Sequence, residues 1–523
     1  MDIDQIKAFL AEHWRTVAIA SASILTVLAV IAVVTTSGSE DVVEQQATTT
    51  MGPQDATTQD EATTTAEPGL PDDVGTSLPQ GAPPRPRVEL KVPKVASGSI
   101  PDFGLRAQGV TDSEVLLGVS YNKSGCGDSG AIEAALGSAV TGDAEKSIAT
   151  YTRYVNDSGG IAKGLKLVTR SYDDGGVCPE KNRPAAVKMA DEDKVFFAVP
   201  GLHTVSDYML TRDVPIFGGR DDIRSMAKIG ANGLGLTIPL GPNFEAWATF
   251  GVHYLKSTGK NACLIRPISG ASGDWDTYGP DFVKIAAAHG LRLDPIIRYD
   301  ADDPSKAQET SDNVAAQGRD ADCEHVYFMG GNALPLVFLT DGATRNGWFP
   351  DVWTWTNYAV LTDDDNIGKL MDPVQWENAI GLSTRVPPGE HPYEDNCKDI
   401  YESYNGNDGQ SEGAFTVIAC ATILTAAEQM RRAVERTSVL TGNSLLLGAD
   451  AIRNDFFYDA HVPIEYRFPS PDGPFKTKGW SHFTPVKWSN AESRYLFPEY
   501  PRYWREWGPG NSGGEDLRRF YQD

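Results

Sequence analysis

From residue 114 onward the sequence alternates short apolar runs with segments of helical period, and after about 120 residues the alternation starts again. "EVLLGVS" (114–120) reads as a buried strand. Ala144, Ile148, Tyr151 and Val155 then recur at helical spacing, and Gly159-Gly160 closes that helix. "LKLVTRSY" (165–172) is a strand, "PAAVKMADED" a helix, "KVFFAVP" a strand, and "VPIFGG" (214–219) another strand after a further helix. Such β-α-β-α-β order requires a parallel sheet covered on both faces, and in these sheets ligands bind beyond the carboxyl ends of the strands.

The second unit has the same plan. "FEAWATFGVHYLKSTG" is helical and "NACLIRP" (261–267) a strand; "YGPDFVKIAAAHG" and "LRLDPIIRY" follow as helix and strand. "AQETSDNVAAQG" is helix, while "EHVYFMGG" (324–331) and "DVWTWTN" (351–357) are strands. The predicted fold class is therefore α/β, two doubly wound parallel-sheet lobes with a hinge and a central cleft, preceded by an N-terminal transmembrane helix. Lobe 1 is expected over 108–238 and 380–447, lobe 2 over 239–379 and 448–495. The apolar segment "GAFTVIACATILTAAEQMRRAVERT" (413–437) is too mixed to span a bilayer and is assigned as a buried helix of lobe 1. Residues 496–523 form an aromatic C-terminal extension expected to pack on a lobe.

Ahead of these lobes, residues 16–39 carry no charge and match the thickness of a bilayer core. The preceding residues 1–15 are mixed in charge rather than basic, which favours a retained anchor over a cleaved signal. Arg15 on one side and Glu40, Asp41 and Glu44 on the other place 1–15 in the cytoplasm and the body outside. The predicted location is the cell membrane, single-pass, with an extracytoplasmic body. Residues 40–107 are rich in Thr, Pro and acids and poor in aromatics, the composition of a disordered linker.

Charge excludes one class of partner. Acids outnumber bases 71 to 46, a formal net charge of −25, and a polyanion such as nucleic acid is repelled. Six cysteines, none in a CxxC pair, suggest disulfides in an exported chain. Pairing sequence neighbours gives 126–178, 263–323 and 397–420, one of several connectivities, with Cys126–Cys178 the favoured bond. "CGDSGA" (126–131) has the look of a serine-protease loop, yet the only histidine upstream is His13. No HExxH, P-loop or GxGxxG follows a strand, so no enzyme and no cofactor is expected.

The order of elements carries a resemblance. "GVTDSEVLLGVSYNKSG", "GDAEKSIATYTRYVNDSGGIAKGLKLVTRSYDDGG" and "MADEDKVFFAVPG", followed by "GKNACLIRP", "YGPDFVKIAAAHG" and "YFMGGNALPLVFLTDGATRNGW", resemble the extracytoplasmic solute-binding proteins of ABC transporters. The likeness is to the type I periplasmic-binding fold of the branched-chain amino-acid-binding (Leu/Ile/Val) family, with "PDGPFKTKGWSHFTPVKW" like its closing hairpin. It implies two lobes joined by three crossings, a small-molecule ligand between them, and ABC permease subunits as partners. In "GLHTVSDY", Thr204 and Ser206 match hydroxyls that hold a ligand carboxylate; Gly219, Arg220 and Asp221 fall in the next loop; Tyr278, Asn332 and Asn357 match the lips of the second lobe.

One departure bears on the ligand. Amino-acid binders of the family place a carboxylate near Asn357 to neutralise the ligand ammonium, and "WTWTNYAV" has none. An α-amino acid is disfavoured unless Asp174 or Asp221 substitutes, and Arg220 points to an anion. The expected function is a membrane-anchored capture protein for an amino acid, amide or carboxylate serving an ABC importer. The alternatives are a sensing ectodomain acting through a membrane partner, or an envelope protein that lost its ligand.

Overall fold

The computed structural model describes chiefly residues 108–121, 142–175, 179–217, 261–267, 292–299, 306–328, 334–355, 365–461 and 482–498, with 237–238 and 504–505. A few positions within these ranges are not described.

The first unit runs β1 (Glu114–Tyr121), α1 (Ala144–Asp157), β2 (Lys166–Asp173), α2 (Pro179–Val187), β3 (Phe197–Val199), α3 (His203–Thr211), β4 (Ile216–Phe217) and β5 (Thr237–Ile238). Its strands form one parallel sheet in the order β2-β1-β3-β4-β5. Alternation along β1 explains why both faces are covered. Val115, Leu117 and Val119 enter a core with α1 residues Ile148, Tyr151 and Val155. Leu116 packs on the opposite face, against a core that includes Met189, Val195 and Ala198. Each such aliphatic side chain taken out of water contributes about 1.5–3 kcal/mol.

Local signals place α1 where the periodicity predicts it. Asp143 caps its start by accepting from the Lys146 N–H at 3.0 Å. Its end is set by Gly159 and Gly160, both at positive φ, with the Gly160 N–H reaching back to the Val155 carbonyl at 3.0 Å. A Cβ on Gly160 would lie 2.6 Å from the Leu165 carbonyl oxygen, so only glycine turns the chain into β2 there. The segment read as one helix at "PAAVKMADED" is α2 continued by a π-turn over Lys188–Glu192.

The second unit comprises β6 (Ala262–Pro267), β7 (Leu293–Tyr299), α4 (Ala307–Asp320), β8 (His325–Phe328), α5 (Leu334–Arg345), β9 (Val352–Trp355), the short α6 (Asp365–Gly368) and α7 (Pro373–Trp376), and β10 (Ile380–Ser383). These strands lie in the order β7-β6-β8-β9-β10, all parallel, which repeats the order of the first sheet. An antiparallel extension, β11 (His482–Ser489), β12 (Arg494–Leu496) and β13 (Trp504–Arg505), continues the sheet past β10. Part of the aromatic C-terminal segment thus becomes sheet. Trp488 and Tyr495 meet edge-to-face at 5.0 Å, and the Trp376 indole N–H donates to the Tyr495 hydroxyl at 3.2 Å. A buried indole needs such a partner.

Between the two sheets the chain crosses after β5, returns after β10, and crosses again before β11. The last two crossings pair with each other through an antiparallel bridge between Arg385 and His461. The intervening α8 (Asn396–Asn405), α9 (Ala414–Thr437) and α10 (Gly442–Asp450) belong to the core of the first unit, where Ile423, Leu424 and Met430 meet Val119 and Ile148. The buried and half-buried charges of α9 are paired: Glu428 takes Arg432 at 2.9 Å and Arg431 at 2.7 Å, and Arg436 meets Asp450 at 3.1 Å.

Among the described residues there are two disulfides, Cys263–Cys323 within the second unit and Cys397–Cys420 between α8 and α9. Both are sequence-neighbour pairs. Cys126 and Cys178 lie outside the described residues.

The predicted fold class is corrected in one respect. The two-lobed α/β fold stands without the N-terminal transmembrane helix: among the described residues no helix is long and apolar enough to cross a membrane. The longest, α9, is interrupted by Glu428, Arg431, Arg432, Glu435 and Arg436. Residues 16–39, where that helix is expected, lie outside the described residues.

Candidate functional site

In the order β2-β1-β3 the chain leaves β1 toward one side and reaches β3 on the other, so their connections part at the carboxyl edge and leave a crevice. Polar residues gather at this edge. Ser120, one residue before the end of β1, donates its hydroxyl to Asp174 Oδ2 at 2.9 Å. Asp174 follows β2 and is only 1 % exposed. Its carbonyl oxygen accepts from the Asn182 side-chain amide of α2, and Asn182 Oδ1 accepts from the Thr204 hydroxyl at 3.0 Å. Four elements, β1, the end of β2, α2 and α3, are thereby joined by one line of hydrogen bonds.

A second, more exposed group flanks it. Asp173 accepts from the Lys123 and Gly175 backbone N–H groups, each at 3.0 Å, and faces Lys181 at 3.5 Å. Lys123 Nζ meets Glu145 at 2.6 Å. Its hydrogen bond, and then that of Tyr121, hold the Glu145 carboxyl below the usual carboxylate range. Burial first, and the Glu145 hydrogen bond second, push the Tyr121 hydroxyl far above its ordinary value.

The second sheet repeats the crevice between β6 and β8. Arg266, next to last in β6, is buried, and the Tyr299 and Phe328 rings at the ends of β7 and β8 stack at 5.5 Å. Ser383 ends β10 fully buried, at the start of the second crossing.

Of the residues expected at the site, Thr204 and Ser206 are described. Both lie in the first turn of α3, but they differ in access: Thr204 is exposed, whereas Ser206 is 0 % exposed. Gly219, Arg220, Asp221, Tyr278, Asn332 and Asn357 lie outside the described residues. Ser120 and Asn182 were not expected. A hydroxyl at the carboxyl end of an apolar strand is a signal that marks Ser120; nothing local marks Asn182, whose partners sit 8 and 22 residues away. Among the described residues no group of acids, histidines or cysteines is arranged to hold a metal ion.

Comparison with known proteins accounts for this architecture. Residues 133–473, more than half of the chain, match the model of a family described as periplasmic binding protein. The chain belongs to the periplasmic binding protein family. Its fold is similar to that of a branched-chain amino-acid ABC transporter protein from Thermus thermophilus with bound valine, with a TM-score of 0.58 at 13% identity, covering 75% of this chain and 96% of that one. An extracellular ligand-binding receptor from Rhodopseudomonas palustris HaA2 gives 0.54 at 16% identity, over 74% of this chain and 100% of the other. A solute-binding protein from Rhodopseudomonas palustris BisB5, in complex with 3,4-dihydroxybenzoic acid, gives 0.53 at 12% identity, over 73% and 95%. At these identities the likeness is one of fold. No curated relative matches by sequence.

The family comprises non-catalytic transport components, and this periplasmic binding protein is not an enzyme. The membrane-anchored function, the membrane as a partner through the N-terminal helix and the single-pass location are corrected along with the fold class. The family match and the fold likeness rest on the lobes, and no helix among the described residues is long and apolar enough to cross a membrane.

Proposed function

We propose that this binding protein captures a small organic solute between its two lobes, outside the cytoplasm, and delivers it to the permease subunits of an ABC importer. The observation that carries the reading is the repeated strand order. Each sheet has its own crevice at the carboxyl edge, and three crossings connect the lobes that bear them. Thr204 is the first-lobe contact; Gly219, Arg220, Asp221, Tyr278, Asn332 and Asn357 are the further ligand residues that the family resemblance implies. The solute belongs to the amino-acid, amide or carboxylate class; valine and 3,4-dihydroxybenzoic acid, bound by two of the similar proteins, mark its size.

A thermal-shift panel of amino acids, their amides and small carboxylates tests the reading. A true solute at 100 times its Kd stabilises the folded chain by about 2.7 kcal/mol through mass action. If no member of the panel raises the melting temperature, capture of this class of solute is refuted.

A further inference from the structure

We propose that Thr204 meets its solute as a hydrogen-bond acceptor, that Asn182 is the positioning residue that makes it one, and that the group seated there is a carboxamide rather than a carboxylate. This rests on the solute-binding reading above and narrows it.

The argument is one of proton assignment. The Asp174 backbone carbonyl can only accept, so the Asn182 amide nitrogen must face it, and Asn182 Oδ1 must face the other way. Oδ1 also only accepts. The Thr204 hydroxyl, 3.0 Å from it, has one proton and gives it to Asn182. What Thr204 offers outward is therefore lone pairs, and Thr204 is exposed while Asn182 is 7 % exposed. The orientation is held from the strand side as well, because Ser120 anchors Asp174 at 2.9 Å.

A solute N–H meets this oxygen directly. A carboxylate meets lone pairs, unless Thr204 turns its proton outward and withdraws it from Asn182 Oδ1. Removing one donor from a group so enclosed is enough to favour an amide over the matching acid by about tenfold. A carboxamide also brings no charge that must be neutralised, which agrees with the lack of an acid in "WTWTNYAV". The family resemblance implies a carboxylate at this hydroxyl; the hydrogen bonds reverse that polarity.

The test is calorimetric titration of the full chain with matched probes: isovaleramide, isovalerate and isoamylamine, then benzamide and benzoate. The wild type is expected to bind the amide of a pair at least about tenfold more tightly than the acid, a difference of about 1.4 kcal/mol. The amine arm separates a neutral donor from a cationic one: the proposal expects the amide to bind more tightly than the amine, and the reverse order overturns the carboxamide assignment. Asn182→Leu frees the Thr204 proton, so the amide-to-acid ratio should fall toward one. Thr204→Ser should keep the ratio and Thr204→Val should lose amide affinity; both change an exposed side chain, so they decide the matter if Asn182→Leu does not fold. Acid binding equal to or tighter than amide binding, or amide binding untouched by Thr204→Val, overturns the proposal and leaves solute capture standing. Failure of every probe to bind refutes both.

Discussion

Asn156 guards the open edge of the first sheet, and its removal should be costly. Among the described residues strand β2 is the edge of that sheet and pairs with β1 alone. The Lys166 N–H bonds Ser113 in the segment leading to β1, so the next residue, Leu167, turns its backbone groups outward. Both are taken by one side chain: the Asn156 amide donates to the Leu167 carbonyl at 2.9 Å and accepts from the Leu167 N–H at 2.8 Å. Asn156 thus acts as a one-residue partner strand supplied by α1. Leu167 is 1 % exposed, so water does not replace what Asn156 provides. Asn156→Ala leaves a donor and an acceptor unmet, each costing about 1–3 kcal/mol, for a total of about 2–6 kcal/mol. Asn156→Asp should be no milder, because its second oxygen faces the Leu167 carbonyl in place of a donor. Urea unfolding of wild type and variants gives the total, and amide hydrogen exchange at Leu167 locates it. A loss below about 0.5 kcal/mol with unchanged protection at Leu167 would refute the reasoning, since that is the range of a surface change with no special role.

Other outcomes follow from the same structure. Replacing Cys263 and Cys323 together with Ala, across 60 residues of sequence, should destabilise by about 4 kcal/mol, and replacing Cys397 and Cys420, across 23 residues, by about 3 kcal/mol; the reverse order in denaturant melts would contradict the chain-entropy account. Gly448→Ala should cost about 1–3 kcal/mol, because a Cβ there collides with the Gln429 carbonyl and lies 2.7 Å from the Ala433 N where α10 crosses α9; an unchanged melting temperature would show that the helices separate freely. His391 is held below its ordinary pKa by burial, against an opposing pull from Glu394, and its Nδ1 accepts from the Tyr393 N–H at 3.2 Å. The unfolded chain then binds the proton more readily, so this contribution is complete above the unfolded value of about 6.5 and is lost as pH falls below it toward the native value. The stability gap between wild type and His391→Gln should shrink from pH 7.5 to 5.5; a constant gap would exclude the residue as the source.

What the sequence discloses here is mostly periodic. Val115, Leu117 and Val119, and Ile148, Tyr151 and Val155, repeat at the strand and helix intervals that β1 and α1 display. The restart at Ala262 announces a second sheet because the same pattern recurs. The charges of α9 argue against a membrane span even in the raw string, and their ion pairs show why. Contacts between distant residues leave no such trace. The line from Ser120 to Thr204 joins positions 84 apart through Asp174 and Asn182, and only folding makes them neighbours. Access is equally hidden: Thr204 and Ser206 are two residues apart on a helix, which turns them about 200° from each other, one to solvent and one to the core.

The bridge between Arg385 and His461 has a mechanical consequence. Two strands of connecting chain laced together resist twisting as a ribbon does, whereas separate strings would swivel. Any swing of one half against its fellow must then bend both laces at once, which restricts the swing toward a single axis and makes a cut in either lace felt by the other.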